Sequence, residues 1–515
     1  MLVILPPKGE SVADFDLAVI GGGINGTGIA RDAAGRGLKV VLIEQDDLAS
    51  GTSSKSSKLI HGGLRYLEHG QFRLVREALR EREVLLRTAP HLVRPLRFVL
   101  PLNAARRSPL LLRLGLFIYD WLGARQILPA TRELDLLTDE AGEPLRRSFH
   151  QAFEYSDCLA DDARLVVLNA VDAAERGATI RTRTRCVFAE RSDIWRLVLN
   201  ARGRRDVVTA RVLVNAAGPW VEIVGEAVLR QKQQRRLRLD KGSHMVVRRL
   251  YDHDRAYILP AADGRVLFAI PFEHDFTLIG TTDQSFSGDP SAVVPSANEI
   301  DYLCAVMNDY FRAGITAADV VWAYAGVRAL YDDGARRAQD VGRDYNLVLD
   351  KRLGEAPVLS VYGGKITTYR RLAEEVLGRL SHFFPPSQPW TAHSPLPGGD
   401  FAYDGLDALV ERTRRDWPFL TAAHARRLVR AYGTRVASVL NASAKPDDLG
   451  MSFGSDLTAA EVRYLMAKEW AETTDDVLWR RSKLGLRLSA MQVGELDRFM
   501  KQPRSQNTLP QQQRE

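Results

Sequence analysis

The sequence contains few cysteines, and they show no paired spacing. Cys158, Cys186 and Cys304 are the three cysteines in 515 residues, and no CxxC pair occurs. A disulfide framework and a sulfur-ligated metal cluster both need regularly spaced cysteines, so neither is expected. The chain therefore fits a reducing compartment, and no metal site is predicted.

Long apolar runs are also missing. No stretch reaches the ~20 apolar residues that span a bilayer, and the apolar start of the chain is too short for a signal peptide. We therefore expect a cytoplasmic protein without a membrane-spanning helix. The polar, Gln-rich segment 501–515 is predicted to be a disordered tail.

Acidic residues are too few to balance the basic ones. The chain has 71 Lys and Arg against 64 Asp and Glu, a net charge of +7 and a pI near 9.2. This excess favours an anionic partner: a phosphorylated substrate, a membrane surface or nucleic acid. The remaining composition, with 45% hydrophobic residues, is that of a folded protein of two or three domains.

A dinucleotide-binding pattern occupies residues 16–44. The apolar segment LAVI runs into GGGING, which fits G-x-G-x-x-G, and a small-residue helix and a second strand, KVVLI, follow. In such a unit Gly21 makes the tight turn, Gly23 lets the backbone approach a pyrophosphate, and Gly26 lets helix and strand pack closely. Glu44 ends the second strand, where an acid binds the adenosine ribose. The order of these parts predicts a dinucleotide site rather than a purely structural turn.

The continuation of the chain distinguishes FAD from NAD. A nicotinamide enzyme usually continues with another βαβ unit, whereas here the hydroxyl-rich segment TSSKSSKLIHGGLRYLE follows at 52–68. A later apolar strand ends in the small-residue turn Ala216-Ala217-Gly218 and is predicted to return beside the dinucleotide. This order is typical of flavoproteins with two dinucleotide-binding domains, so FAD is the predicted cofactor.

Three cationic side chains are predicted to face this cofactor. Lys365 follows a glycine pair at the start of an amphipathic helix, whose N-terminus could stabilise negative charge on a reduced flavin, and Arg328 follows a glycine at the apparent end of a strand. Together with Arg65 they would clamp a dianion, because guanidinium and ammonium groups both bind phosphate. Taken alone, Arg328 is more typical of a surface or salt-bridged arginine unless its loop faces a pocket, and the glycine pair also fits an ordinary strand–helix turn.

The predicted fold class is α/β, with a Rossmann-like FAD-binding domain, an antiparallel-sheet substrate (cap) domain and a C-terminal helical domain. Alternation in HMVVRR, RAYILP, GRVLFAIP and FTLIGTTD predicts antiparallel strands, and helical spacing resumes after SPLPGGD. The predicted boundaries are 14–80, 155–225 and 326–390 for the FAD-binding domain, 81–154 for a cap insertion, 226–325 for the antiparallel sheet, 391–500 for the helical domain and 501–515 for the tail.

Several longer motifs are spread over nearly the whole chain. They are IGGGINGTGIARDAAGRGL, SSKLIHGGLRYLE, FRLVREALREREVLL, FEYSDC, LADDARL, VNAAGPWV, KGSH, IGTTD, GVR and GGKITTYR. Together they resemble the FAD-dependent glycerol-3-phosphate dehydrogenases, specifically the bacterial aerobic, quinone-linked type. SSKLIHGGLRYLE and GGKITTYR are far more specific to that family than the glycine fingerprint, and the C-terminal region matches more loosely.

The resemblance implies oxidation of sn-glycerol 3-phosphate to dihydroxyacetone phosphate, with FAD as hydride acceptor and a ubiquinone-type partner reoxidising the flavin. It implies that His61 and Arg328 lie at the reacting hydroxyl and that Arg65, Tyr66 and Lys365 bind substrate, chiefly at its phosphate. His61 has the natural pKa of a base, although alone it would fit a structural histidine. The residues expected to bind FAD are Gly21, Gly23, Ile24, Asn25, Gly26, Glu44, Thr52, Ser53, Ser57, Leu59, His61, Gly62, Gly63, Ala217, Gly218, Gly364, Lys365 and Thr367.

An interfacial segment is expected because a quinone acceptor is dissolved in lipid. Segment 106–125, RRSPLLLRLGLFIYDWLGAR, is apolar, flanked by basic residues and contains a tryptophan; a buried cap helix is the alternative. RRLR at 235–238 is a second candidate for lipid contact. The predicted location is the cytoplasmic face of the cell membrane, with peripheral attachment. No nucleic-acid motif is present, and a homodimer is left open.

Two other functions compete with the quinone-linked dehydrogenase. One is an oxidase that carries out the same half-reaction but passes the electrons to oxygen. The other is a non-catalytic flavin-binding protein that keeps the fold. The intact set of His61, Arg65, Arg328 and Lys365 argues against the second.

Overall fold

The computed structural model describes residues 13–67, 70–102, 109–123, 127–232, 237–331 and 344–502, apart from the side chain of Arg65. Its strands are β1 (Phe15–Ile20), β2 (Val40–Ile43), β3 (Leu59–Ile60), β4 (Val93–Pro101), β5 (Arg132–Asp135), β6 (Gln151–Ala160), β7 (Thr179–Arg181), β8 (Thr184–Arg191), β9 (Trp195–Ala201), β10 (Arg204–Asn215), β11 (Leu237–Arg248), β12 (Ala256–Pro260), β13 (Val266–Phe272), β14 (Phe276–Gly280), β15 (Gln284–Ser285), β16 (Val320–Tyr331), β17 (Asn346–Asp350), β18 (Val358–Tyr362), β19 (Ser452–Gly454) and β20 (Leu457–Thr458). Its helices are α1 (Ile24–Gly35), α2 (Phe72–Thr88), α3 (Pro109–Leu122), α4 (Asp162–Glu175), α5 (Val221–Ile223), α6 (Ala297–Tyr310), α7 (Tyr369–Arg379), α8 (Leu406–Asp416), α9 (Ala422–Tyr432), α10 (Val436–Leu440), α11 (Ala459–Lys468) and α12 (Ala490–Met500).

The first sheet is mainly parallel and carries the dinucleotide pattern. Its order is β17-β18-β10-β1-β2-β7, with the hairpin β8–β9 continuing antiparallel from β10. Leu17 and Val19 of β1 pack against the helical layer of α1, α4 and α7, whereas Ala18 and Ile20 pack against the β8–β9 side. Because both faces are covered, β1 and β2 are apolar rather than alternating. The predicted Rossmann-like domain is confirmed.

The second sheet is mainly antiparallel and forms the cap. Its order is β15-β11-β14-β13-β12-β4-β6-β3, with β16 paired to β11 and β5 to β6, and only β12–β4 is parallel among these pairs. The segment 81–154, predicted as a separate cap insertion, contains β4 and only the start of β6, and both strands belong to the same sheet as β11–β14. Strand β3 joins the edge of this sheet and brings the hydroxyl-rich loop to it.

The C-terminal region is helical, as predicted. Helices α8 to α12 enclose a hydrophobic core of their own, which contains Leu428, Val462 and Leu496. The exact boundaries between the three units stay predictions. Among the described residues, no helix combines the length and the apolar character needed to cross a bilayer.

One local expectation is wrong. Arg328 was expected at the end of a strand, but β16 continues to Tyr331. The reason is long-range pairing: β16 is hydrogen-bonded to β11 along its length, with Arg328 opposite Asp240. The sequence that follows Gly326 carries no local signal for this pairing. The next segment, 332–343, lies outside the described residues.

Candidate active site

A cavity of about 400 Å³ lies at the carboxyl ends of β1, β2 and β10 and is closed from the other side by residues of β11 and β16. Ligands of open α/β sheets bind at this end of the strands, because helix N-termini and loops converge there. Residues that line the cavity come from three distant parts of the chain: 20–66, 184–244 and 326–367.

Helix α1 begins at the cavity and is held very close to β1. Its N-cap, Gly23, provides no side-chain cap, so the positive end of the helix can receive an anion. Gly21 has φ +114°, and a Cβ on it would lie 2.5 Å from the Ala216 carbonyl oxygen. A Cβ on Gly26 would lie 1.9 Å from the Gly21 carbonyl oxygen. The glycine pattern thus creates a cradle that side chains would fill.

Glu44 lies beside this cradle with its carboxylate oriented by the backbone. Its Oε2 accepts a hydrogen bond from the Gly22 N–H at 2.6 Å, and its Oε1 accepts one from the Asp46 N–H at 2.9 Å. Burial raises the pKa of Glu44 to about 6, against the opposing effect of these hydrogen bonds. The carboxylate is therefore placed where the adenosine ribose is expected.

The hydroxyl-rich loop is tied down rather than loose. Thr52 Oγ1 donates to the Val327 carbonyl at 2.6 Å, and Ser53 Oγ accepts from the Ile24 N–H at 3.0 Å. Ser56 Oγ donates to Asp162 at 2.8 Å. These hydroxyl groups join the loop to the cap sheet, to α1 and to α4.

Arg328 reaches the cavity from the cap sheet. Its Nη1 donates to Asp283 at 2.9 Å and its Nη2 donates to Thr281 Oγ1 at 3.1 Å, so the guanidinium plane is fixed. A Cβ on Gly242 would lie 2.6 Å from Nη2. The glycine of the KGSH motif therefore leaves the space that this guanidinium occupies.

Lys365, Tyr66 and His61 also line the cavity. The Lys365 ammonium lies 4.0 Å from the centre of the Tyr66 ring, which is a cation–π distance. The His61 ring meets the edge of Phe268, with 6.4 Å between ring centres. The side chain of Arg65, the remaining member of the predicted anion clamp, lies outside the described part of the structure.

His244 is a lining residue that sequence reasoning left off the site. Its Nε2 is 2.8 Å from Ser57 Oγ, and its ring stacks on Tyr324 at 4.9 Å. Burial, together with the positive charges of Arg328 and Lys58, holds the pKa of His244 well below its usual value, so the ring is neutral. The KGSH motif was the signal that could have found it. Lys55 also lines the cavity, and burial lowers the pKa of its ammonium.

Most of the residues predicted to bind cofactor line this cavity. These are Gly21, Gly23, Ile24, Asn25, Glu44, Thr52, Ser53, Ser57, Leu59, His61, Ala217, Gly218, Gly364, Lys365 and Thr367. Gly26, Gly62 and Gly63 are buried behind the lining residues. Whether each residue touches the cofactor stays a prediction.

The cavity has the donor and acceptor set that FAD needs. It joins a glycine cradle at a helix N-terminus, a ribose-binding acid and an apolar wall that includes Ile20 and Ile43. The buried Asn25 Oδ1 has no hydrogen-bond partner among the described residues. An unpaired buried oxygen is costly, and a ligand in the cavity could donate to it.

Comparison with known proteins agrees with this geometry. A sequence model of the family described as "FAD dependent oxidoreductase" matches residues 16–370, and one described as "C-terminal domain of alpha-glycerophosphate oxidase" matches residues 389–500. FAD is thus the cofactor that the site and the family have in common.

Individual relatives extend over nearly the whole chain. A glycerol-3-phosphate dehydrogenase of Pseudomonas aeruginosa is 51% identical over 96% of each chain. A D-erythritol 1-phosphate dehydrogenase of Brucella abortus is 50% identical over 92% of this chain and 95% of its own. The crystal structure of the glycerol-3-phosphate dehydrogenase from Bacillus halodurans complexed with FAD is 27% identical, with a TM-score of 0.74 over 95% of this chain and 90% of that one.

Proposed function

Because the chain belongs to the family of FAD-dependent glycerol-3-phosphate dehydrogenases, we propose that it oxidises sn-glycerol 3-phosphate to dihydroxyacetone phosphate. The observation that carries the proposal is the convergence of His61, Arg328 and Lys365 on one cavity beside the dinucleotide cradle. When bound, FAD supplies the hydride acceptor for the hydrogen on C2 of the substrate.

The cavity residues have separate tasks in this reaction. Lys365, with its ammonium on the Tyr66 ring, binds the phosphate together with Arg65. His61 accepts the proton of the C2 hydroxyl, since a neutral imidazole is a base near neutral pH. Arg328 is held by Asp283 and Thr281 and stabilises the negative charge that develops on the same oxygen. Fixing the three groups in one cavity supplies the orientation that hydride transfer needs.

A four-carbon substrate is the second candidate. The Brucella abortus relative, named for D-erythritol 1-phosphate, is almost as similar to this chain as the Pseudomonas aeruginosa one. Both substrates offer a phosphate to Lys365 and a secondary hydroxyl to His61, and they differ in length by one CHOH group. The proposal is therefore tested with both compounds.

The experiment is anaerobic stopped-flow bleaching of the flavin absorbance of the purified protein by sn-glycerol 3-phosphate and, separately, by D-erythritol 1-phosphate. We expect faster bleaching and a lower half-saturating concentration with glycerol 3-phosphate. The reverse order would assign the four-carbon substrate. A folded, FAD-loaded protein that neither compound bleaches would contradict the proposal and leave the non-catalytic flavoprotein.

The rate of flavin reoxidation by different oxidants identifies the electron acceptor. We propose a ubiquinone-type acceptor, so the bleached flavin should be reoxidised quickly by a soluble quinone and slowly by air. Fast reoxidation by air with formation of peroxide would instead show an oxidase, the activity named for the family whose C-terminal domain matches residues 389–500.

A quinone acceptor requires contact with the lipid phase, and α3 provides a surface for it. This helix lies inside the predicted interfacial segment 106–125, of which 106–108 and 124–125 are outside the described residues. One side of the helix is apolar and exposed, with fractions of 54–77% at Leu110, Leu111, Leu114, Phe117 and Trp121. We propose that this face lies in the membrane interface on the cytoplasmic side, with the net charge of +7 favouring anionic lipid.

Vesicle flotation tests the membrane proposal. The wild-type protein should float with vesicles of phosphatidylglycerol and phosphatidylethanolamine, and the Phe117→Ser/Trp121→Ser variant should remain at the bottom of the gradient. Leu353→Ser is the matched control, because it removes a fully exposed apolar side chain far from α3 in sequence. Equal flotation of both variants and the wild type would show that α3 does not hold the protein on the membrane.

A further inference from the structure

Helix α3 has a buried side as well as an exposed one. Opposite the exposed apolar residues, Leu116 and Tyr119 are 0% and 2% exposed and pack into the cap. Leu116 is apolar, so packing alone explains its burial. Tyr119 also carries a hydroxyl into this core, and a buried hydroxyl needs hydrogen-bond partners.

The Tyr119 hydroxyl joins the backbone of the active-site loop to a buried ion pair. It accepts a hydrogen bond from the Gly62 N–H at 2.8 Å and donates to the Asp157 carboxylate, with oxygen–oxygen distances of 2.8 and 2.9 Å. Asp157 in turn accepts from Arg82 Nη1 at 2.7 Å. Side chains of both Asp157 and Arg82 are at most 3% exposed, so the network is sealed from water.

The direction of these hydrogen bonds is fixed. Burial and the negative charge of Asp157 raise the pKa of Tyr119 well above its usual value, so the hydroxyl keeps its proton. The proton points to the carboxylate, and a lone pair of the oxygen remains for the Gly62 N–H. A phenylalanine of the same shape would offer neither, so the Gly62 amide would lose its acceptor at 2.8 Å and keep only its interaction with the Asp157 carboxylate.

The amide that Tyr119 holds belongs to the residue directly after His61. The space there is already full: a Cβ on Gly62 would lie 2.7 Å from the Tyr119 hydroxyl and 2.6 Å from Leu79. The hydrogen bond from Gly62 to Tyr119 therefore restrains the peptide that links His61 to Gly62, which is the backbone that carries the imidazole lining the cavity. We propose that Tyr119 is a positioning residue that holds His61 in its catalytic geometry through the Gly62 amide, an inference that rests on the function proposed above for His61.

The test compares Tyr119→Phe with Tyr155→Phe. Tyr155 is equally buried and packs edge-on against Tyr119, with 5.8 Å between ring centres, but its hydroxyl is not the one that bonds to Gly62. In anaerobic stopped flow, Tyr119→Phe should bleach its bound flavin about 10- to 100-fold more slowly at saturating substrate, the cost of a misplaced reacting group. The half-saturating concentration should change less than threefold, because Lys365 still holds the phosphate. Tyr155→Phe should bleach like the wild type.

A second variant separates positioning from stability. Asp157→Asn removes the charge that pairs with Arg82 but keeps an oxygen that can accept from Tyr119, so it should lower the melting temperature while the flavin still bleaches at nearly the wild-type rate. Slowing of both variants in proportion to their lost stability would overturn the proposal. So would a Tyr119→Phe protein that bleaches at the wild-type rate per bound flavin.

Hydrogen exchange provides a readout that does not depend on substrate. Peptides that cover residues 59–67 should exchange their amide hydrogens faster in Tyr119→Phe than in Tyr155→Phe. If neither polyol phosphate bleaches the wild-type flavin, the proposed function fails, and the exchange of this segment still decides whether Tyr119 holds the loop. Unchanged exchange would overturn the inference even if the wild type bleaches as expected.

Discussion

Lys365 and Tyr66 form one unit in the candidate active site. Contact with the Tyr66 ring restricts the Lys365 side chain before substrate binds. Binding an anion therefore costs less side-chain entropy than it would for an unrestrained lysine. Arg328 is constrained in a different way, by Asp283 and Thr281 on the neighbouring strand-end segment. At the scale of single residues, the two cations are thus held independently, so their contributions can be measured separately.

Replacing Lys365 with methionine should weaken substrate binding more than the chemical step. A hydrogen bond to a charged group contributes about 1.5–3 kcal/mol, so the KM for sn-glycerol 3-phosphate should rise about 10- to 100-fold while kcat changes little. Steady-state kinetics with a soluble quinone gives both constants. Lys351→Met, at an exposed lysine, is the control. A large fall in kcat with an unchanged KM would place Lys365 at the reacting carbon instead.

If Glu44 binds the adenosine ribose as predicted, the affinity for FAD should depend on pH. An ionised carboxylate accepts hydrogen bonds from both ribose hydroxyls, and protonation removes part of that capacity. With a pKa of about 6, the ionised fraction falls about tenfold between pH 7 and pH 5, so the affinity of the apoprotein for FAD should fall over that range and be constant above pH 7. Fluorescence titration measures it. Glu44→Gln should bind FAD more weakly with a flat pH profile, and an equal slope in both proteins would exclude Glu44 as the cause.

The positions of some site residues can be predicted from the sequence, and those of others cannot. The positions of Gly21, Gly26 and Glu44 are predictable because they depend on the local turn and on spacing along the chain. His244 was missed because its position depends on stacking against Tyr324, on a strand about 80 residues later in sequence. Ser57, which contacts the same ring, is still farther away, 187 residues earlier in the sequence.

At the scale of elements, the unit β1–α1–β2 follows from pattern alone. Its apolar strands, small-residue helix and terminal glycine all agree, which is the consistency expected of a foldable segment. By contrast, the end of β16 and the membership of β4 and β6 in the cap sheet are set by strands far away in sequence. The contacts of the hydroxyl-rich loop were not predictable for the same reason, since its hydrogen-bond partners are on other elements.

Because α1 lies so close to β1, Gly26→Ala should disrupt FAD binding. The new methyl group would lie 1.9 Å from the Gly21 carbonyl oxygen, so the helix has to move away from the strand and the FAD cradle opens. We expect purified Gly26→Ala to contain little or no FAD, as measured by its absorbance near 450 nm. The control is Gly494→Ala in α12, where no described atom lies within 4 Å of the added carbon apart from the chain neighbours and the adjacent helix backbone; it should stabilise the protein by about 0.5–1 kcal/mol. Full FAD content in Gly26→Ala would contradict the expectation.

At the scale of the whole molecule, the helical domain is fastened to the FAD-binding domain by buried ion pairs. Arg164 of α4 forms a bidentate pair with Glu469, and Arg481 forms another with Asp47. All four side chains are at most 1% exposed. When one partner of such a pair is removed, the other charge stays buried without water or a counter-charge to stabilise it. Loss of one partner is therefore strongly destabilising.

Breaking one of these pairs should be costly. Arg164→Met leaves the Glu469 carboxylate buried beside a methionine and should lower the free energy of unfolding by about 3–5 kcal/mol. Urea titration followed by tryptophan fluorescence measures the change. The control is Arg435→Met, which breaks a partly exposed pair with Glu175 across the same two units and should cost about 0–1 kcal/mol. Equal losses in the two variants would show that burial of the Arg164 pair adds nothing.

The architecture of the whole molecule was predictable from the order of its patterns. A glycine-fingerprint unit, alternating strands and a final helical region specify an α/β fold with a cap and a helical domain. The sequence cannot specify how the units are fastened together. Arg164, Glu469, Arg481 and Asp47 look in sequence like four ordinary charged residues, and only the three-dimensional contacts show them as partners across more than 300 residues.

The cavity assembled from segments 20–66, 184–244 and 326–367 also sets an order of events during synthesis. The glycine cradle is made early, but Gly364 and Lys365 are added only after about seventy per cent of the chain has been made. A nascent chain therefore cannot enclose its flavin domain by domain. We therefore expect FAD to be fully enclosed only once most of the chain has been made.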